Sequence, residues 1–499
     1  MDGIMGILSY GLGTLIAFLV LAGVVVMFVQ DVTQKKHTVL RNYPVIGRLR
    51  YNLEEMGEYF RQYFFMNDRE EMPFNRATRG WVYRLAKDEG GVIGFGSTNN
   101  QGEPGSVIFV NAPYPVLEED RLPTPPVAMG DGYCREPFIA RSVVNISGMS
   151  FGAISEPAVR ALSRGAACAG CWMDTGEGGL SPFHLEGNCD IIMQLGTANY
   201  GIRDADGRFS LSRARELAAL PQVKAFEIKL SQGAKPGKGG VLPAAKVTEQ
   251  IARIRGIPPN QDSISPNRHR DIANADQLLD KIAMLRDATG KPVGVKTAVG
   301  GWQFVNDLAE AVHRRGLEYA PDFLAIDGGE GGSGAAPQAL MDHMALSITE
   351  ALPRVVDALI ESGLRDRIRV IASGKLVTSA RAAWALCAGA DFVNSARGFM
   401  FALGCIQALR CHQNTCPTGI TTHNPRLQRG LVVEEKFIRV ANYANNMNKE
   451  IDMIAHCCGC RHARELRREH VRIVQSVGQS TAFNILYPYP VAGARRKAA

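Results

Sequence analysis

"IRVIASG" (368–374), "SARAAWALCAGA" (379–390) and "DFVNSARG" (391–398) follow one another closely in the C-terminal half of the chain. The first and third are short apolar, β-branched runs that end in a glycine or polar loop. The second is an amphipathic helical stretch. Strand, helix, strand at this spacing predicts a parallel βαβ unit. Towards the N-terminus the same kind of run recurs: "DFLAIDGGEGG" (322–332), "KPVGVKTAVGG" (291–301), "AFEIKLSQGA" (225–234), "DIIMQLG" (190–196), "CWMDTGEGG" (171–179) and "RSVVNISG" (141–148). Amphipathic stretches such as "DQLLDKIAMLRDA" (276–288) and "VNDLAEAVHRRG" (305–316) lie between most of them. Eight strands with helical crossovers predict an α/β fold, a (β/α)8 TIM barrel. An open doubly wound sheet is the alternative, and no GxGxxG opens a helix after the first strand to support it.

In a barrel, the loops after the strands carry the chemistry. Those after the seventh and eighth, "ASGKL" (372–376) and "NSARG" (394–398), occupy the usual phosphate slots, and Lys375 and Arg397 bring positive charge there. Next comes "GCIQALRCHQNTCPTG" (404–419), with Cys405, Cys411 and Cys416 spaced C-x5-C-x4-C and Pro417 after the last. A structural zinc site would want four ligands in two close pairs. Three thiols before a proline suggest an iron–sulfur cluster one ligand short of four; three inert buried cysteines are the alternative. A phosphate-bearing redox cofactor beside a cluster points to FMN. Lys229 and Lys296 end the fourth and fifth strands, where a lysine can stabilise a reduced flavin or pair with a carboxylate such as Glu177 or Asp327.

The 499 residues carry a formal net charge of +7, too mild at this length to call for nucleic acid. The 52 glycines suggest tight loops and close approaches to a ligand. The 11 cysteines are odd in number and show no disulfide framework; Cys168 and Cys171, and Cys457, Cys458 and Cys460, read as reduced thiols. From Ile4 to Val29 the chain is free of charge, long enough to span a bilayer core of roughly 30 Å. Lys35, Lys36, Arg41, Arg48 and Arg50 follow it, which predicts a single-pass inner-membrane protein with its body in the cytoplasm. The expected organisation is a transmembrane helix (4–29), an irregular wrapping segment (31–130), the barrel (131–430), and a C-terminal helical segment and tail (431–499).

"SGMSFGAIS" (147–155), "DTGEGG" (174–179), "IKLSQGAKPGKGG" (228–240), "ISPNRHRDI" (264–272), "GGSGAAP" (331–337) and the three-cysteine spacing resemble, in order, the FMN-binding synthase domain of glutamate synthases. With its apolar N-terminus and "DVTQKKHTVLRNYPVIGRLRY" (31–51), the chain is similar to the shorter, membrane-tethered bacterial proteins of that family. The resemblance implies a 3Fe–4S cluster on Cys405, Cys411 and Cys416. It implies an FMN site with Gly148, Met149 and Ser150 as backbone cradle, Gln194 and Lys229 at the ring, and Gly374, Lys375, Ala396 and Arg397 at the phosphate. Thr175, Lys296, Gly332 and Ser333 complete that site. It places Gln232 and Lys235 on the 2-oxoacid carboxylates and Glu177 where ammonia arrives. The reaction implied is reductive amination of 2-oxoglutarate or a related 2-oxoacid.

Three departures stand out. "KPGEGG" of the family reads "KPGKGG", with Lys238 in place of the acid, and "DGG" at the phosphate reads "SGK" (373–375). No glutaminase or NAD(P)H-binding module is expected. The electron donor is open between a ferredoxin, a quinone and a reductase subunit. The alternative function is a flavin and iron–sulfur electron relay, or an oxidoreductase with another substrate.

Overall fold

The structure is a computed structural model describing residues 2–494, with side chains from residue 11 onward. It divides into two compact units, residues 1–78 and 79–499.

The first unit begins with a helix, Asp2–Thr33. Its Gly11–Thr33 portion has mean hydropathy 2.8, and none of its 18-residue apolar window is buried. The expected span, 4–29, lies inside this helix. The segment expected to be irregular is not wholly so. After a short helix at Thr38–Asn42, a longer one, Gly47–Phe60, continues as a π-helical turn over Arg61–Phe65. Arg76–Lys87, most of it in the second unit, is also helical. The period of the apolar residues between 46 and 60 was the signal for Gly47–Phe60. Asp31 joins the two long helices of the first unit: it accepts from Arg48 Nη2 at 2.7 Å and from Val45 N at 2.8 Å.

The second unit holds the barrel. Its strands are β1 (Val144–Ile146), β2 (Met173–Asp174), β3 (Ile191–Leu195), β4 (Val223–Lys229), β5 (Val293–Ala298), β6 (Phe323–Asp327), β7 (Arg369–Ser373) and β8 (Phe392–Ser395). They pair in parallel in sequence order, and β8 closes on β1 with Ser395 beside Ile146. Seven fall within the runs expected, and β4 begins two residues ahead of its run, at Val223. Their residues are almost all buried, because helices cover one face and side chains fill the other. A hairpin, Val127–Met129 with Phe138–Ala140, belongs to the core at the barrel floor. There Trp172 packs edge-on to Phe138 and Phe392, with ring centroids at 5.9 and 5.0 Å. With the floor filled, the opposite rim is left for ligands.

The C-terminal stretch is part helix and part sheet. Helix Val433–Cys457 lies along Glu156–Ala169, where Gly165 leaves room for Val440. Strands Val471–Ser476 and Gln479–Ala482 then form a sheet with Val107–Phe109. The expectation of a helical segment and tail missed this sheet, because its partner strand lies some 360 residues earlier in the chain.

Candidate active site

Register brings the strand ends to one level: Lys296 lies beside Lys229, Asp327 beside Ser373, and Ser373 beside Asn394. Over β5 to β8 and β1 opens a cavity whose empty space, open solvent included, is about 440 Å³. Its lining includes Gly148, Gln232, Lys296, Gly332, Gly374, Lys375, Ala396 and Arg397, eight of the expected site residues, together with Asp327. Gly374 has φ 119°, and a Cβ there would stand 2.9 Å from Gly328 N. Only glycine fits that turn. Lys375 itself is left-handed, with φ 50°. The two cations face each other: burial and then Arg397 lower the Lys375 pKa, and burial pulls Arg397 down to about 10. Arg397 Nη2 is anchored on Glu330 O at 2.6 Å. Two crowded, desolvated cations over a glycine turn are what an anionic group such as a phosphate would relieve.

Lys229 makes the ion pair foreseen as its alternative role, with Glu177 Oε2 at 3.1 Å. Burial pushes the Glu177 carboxyl up, yet Lys229 and Lys235 outweigh it and hold it at about 2. Gly196 and Gly240 press on Glu177, so a side chain at either would strike it. Lys235 is buried, which lowers its pKa, whereas Lys238 is exposed. Gln232 Nε2 donates to Gly332 O at 3.1 Å, and Gly233 N to Asp327 Oδ2 at 2.8 Å. This keeps the "SQGAK" loop over β6.

Other expected residues lie outside the cavity lining. Met149, Ser150, Thr175, Gln194 and Ser333 do not reach it, and neither do Glu177, Lys229 and Lys235. Thr175 is buried with its hydroxyl on Gly176 O, and the Ser333 hydroxyl donates to Ala335 O in its own loop. Gln194 Nε2 donates to Glu227 Oε1 at 2.7 Å and to Asp174 Oδ2 at 3.1 Å. This carboxyl pair, beneath Gly148, was missed in the sequence reading. The available signal was a glutamate in the middle of the apolar run "AFEIK".

The cysteine loop sits against the loop after β1. His423 Nε2 bonds Gly152 O at 2.8 Å, and Ser155 N donates to Ile420 O at 2.8 Å. Lys246, 2% exposed, ties the two loops: its Nζ lies 2.6 Å from Ala153 O and 3.2 Å from Cys411 O. The sequence reading passed over this lysine as well. Cys405, Cys411 and Cys416 lie within electrostatic reach of one another. Burial raises Cys405 to about 12 and raises Cys411. Burial acts on Cys416 in the same sense, but hydrogen bonds from Thr418 and Thr421 bring it down. Among the described residues, no group of three His, Cys, Asp or Glu stands at the spacing for one metal ion. In a cluster each thiolate binds a different iron, so its ligands sit farther apart than those of a single ion. Gln407, Leu409 and Asn414 all have positive φ, a backbone wound around the three thiols. Cys457, Cys458 and Cys460 lie elsewhere, near His470, whose Nε2 is 3.7 Å from Cys460 Sγ. All eleven cysteines are free thiols.

A closed parallel barrel with a glycine turn and two buried cations after β7 and β8, and a thiol-rich loop beside β1, has the make-up of a barrel oxidoreductase. The comparisons give the family. The conserved region of glutamate synthase matches residues 121–461. The chain is 40% identical over 483 residues to the glutamate synthase large subunit-like protein YerD of Bacillus subtilis, covering 89% of this chain and 91% of that protein. It is 37% identical over 334 residues to the archaeal glutamate synthase [NADPH] of Methanocaldococcus jannaschii, covering 66% of this chain and 61% of that protein. The chain belongs to the glutamate synthase family and is an oxidoreductase of that type. Among solved structures, a mandelate oxidase mutant aligns at TM-score 0.41 and 16% identity, covering 85% of this chain and 99% of that one. A flavocytochrome b2 mutant aligns at TM-score 0.45 and 14% identity, covering 79% of this chain and 78% of that one. At that level the likeness says nothing of ligand or reaction.

Proposed function

We propose that this chain is a membrane-tethered FMN and iron–sulfur oxidoreductase that aminates a 2-oxoacid, 2-oxoglutarate or a close relative, with ammonia. The observation that carries this reading is the junction of two loops by Lys246: one borders the anion cradle, the other carries the three cysteines. The site's residues fit FMN. Gly374, Lys375, Ala396 and Arg397 would hold its phosphate, with Gly148, Gly332 and Lys296 along its flank. Cys405, Cys411 and Cys416 would hold a 3Fe–4S cluster, with Gln407 N at 3.4 Å from Cys405 Sγ and Thr418 Oγ1 at 3.3 Å from Cys416 Sγ as donors to sulfur. When bound, FMN supplies hydride to a carbon centre and the cluster supplies single electrons.

The chain's own groups do the rest. Gln232 and Lys235 bind the acid's carboxylates, and desolvation strengthens the lysine's grip on them. Glu177 stays ionised at physiological pH, held by Lys229 at 3.1 Å, and its carboxylate accepts a hydrogen bond from the ammonia that arrives there. The apolar helix anchors the chain in the inner membrane with the barrel in the cytoplasm, as Lys35, Lys36 and Arg41 argue. Anaerobic stopped-flow tests the reaction. The protein is reduced chemically and mixed with 2-oxoglutarate and ammonium, and flavin absorbance is followed. Reoxidation that needs both reagents and yields glutamate supports the amination. Reoxidation only by quinone or ferredoxin overturns it in favour of the relay.

A further inference from the structure

Helix Gly47–Phe60 and the residues flanking it carry an apolar stripe that no described residue of their own unit covers. Ile46, Leu49, Leu53, Met56 and Phe60 recur at intervals of three and four residues and fall within about 80° of the helix circumference. Glu54, Glu55 and Glu58 occupy the opposite side. The stripe is open to solvent: Ile46 is 77% exposed and Leu53 54%. It runs on into Phe64 and Phe65, 74% and 76% exposed in the π-helical turn.

The geometry points to an occupant, an anionic phospholipid surface. We propose that this helix lies in the bilayer interface beside the end of the membrane-spanning helix, apolar stripe down and glutamates up; the inference rests on the reading that Gly11–Thr33 spans the membrane. Two observations favour lipid. The Asp31 carboxylate grips Val45 N and Arg48, so the stripe begins at the level of the last turns of the spanning helix, where headgroups would lie. Around that junction, Lys35, Lys36, Arg41 and Arg50 supply charge complementary to anionic headgroups. The composition agrees: Tyr59 and Tyr63 are amphipathic aromatics of the kind that settle at interfaces, and Phe60, Phe64 and Phe65 add apolar bulk to the side turned to lipid. A coiled-coil seam with a second copy would use the same spacing, but needs about three to four heptads, and this stripe covers fewer.

Photo-crosslinking of the full-length protein decides it. Benzoylphenylalanine is introduced singly in place of Phe18, Glu58 and Phe60, in vesicles of phosphatidylethanolamine and phosphatidylglycerol. Expected are phospholipid adducts at Phe18 and Phe60 and none at Glu58. Replacing phosphatidylglycerol by phosphatidylcholine should cut the Phe60 adduct by about threefold or more and leave Phe18 unchanged. Adducts at Phe18 without Phe60, equal adducts at Phe60 and Glu58, or cross-links from Phe60 to a second copy overturn the interfacial helix while sparing the span. No adduct at Phe18 with one at Phe60 sinks the span and, with it, this placement of the helix beside the end of a spanning helix. No lipid adduct at either position ends both.

Discussion

Glu227 stands in β4, fully shielded from water, with Asp174 beside it and Oε2 among the buried atoms that have no hydrogen-bond partner. Burial first, and Asp174 second, push its pKa up to about 8. Two carboxylates in contact cannot both ionise, so one proton between them satisfies the orphan oxygen. The native state then binds a proton that the unfolded chain releases from about pH 4.5 upward. Stability from this group is fully present below pH 4.5 and erodes as pH rises towards about 8. Glu227→Gln supplies an N–H donor in place of the proton and should flatten that decline in denaturant midpoints measured from pH 5 to 9. Glu227→Ala strands Gln194 and Asp174 and should cost about 1–3 kcal/mol. Lys235→Ala should weaken apparent 2-oxoacid affinity roughly 10- to 100-fold with flavin content intact, read by titration of the reduced protein. Lys246→Met removes a buried cation beside the thiols. It should lower the cluster's midpoint potential by on the order of tens of millivolts in an EPR redox titration.

The two loops that meet the cavity and the cysteines differ in what a single change would undo. Gly374→Val forces a β-branched residue to φ 119° and drives its Cβ against Gly328. The expected result is loss of FMN on gel filtration with the fold retained by circular dichroism. Cys411→Ser should lose the oxidised-cluster EPR signal near a g of about 2.0 while FMN stays, because the glycine turn after β7 and the cysteine loop are separate stretches of the chain. A full cluster in that variant would remove Cys411 from the ligand set. At the floor, Trp172→Ala opens a cavity between Phe138 and Phe392 and should cost about 3–5 kcal/mol, with no direct effect on the rim.

For the chain as a whole, the proposed tether predicts that the protein sediments with membranes and is released by detergent. Protease added to intact cells should leave the barrel untouched and should cut it in inverted vesicles. Recovery in the soluble fraction would contradict the span read from Ile4 to Val29. The barrel could be read from the sequence because each of its strands is a local apolar run closed by a polar loop, and eight of them in order leave few topologies. The glycine turn and the two cations proposed to hold a phosphate were legible for the same reason, since Gly374, Lys375, Ala396 and Arg397 immediately follow their strands. The three cysteines were legible as a group because they share one loop. What tertiary structure alone decided were the contacts between distant segments. The Glu227–Asp174 pair needs β2 and β4 to be brought together by closure. The lysine bridge needs residue 246 carried to both 153 and 411. The sheet of Val107–Phe109 with Val471–Ser476 joins the two ends of the second unit. Local pattern encodes which face of an element is apolar. It holds no record of which buried polar group will meet which, because that is fixed only when the elements pack and every desolvated charge must find its partner.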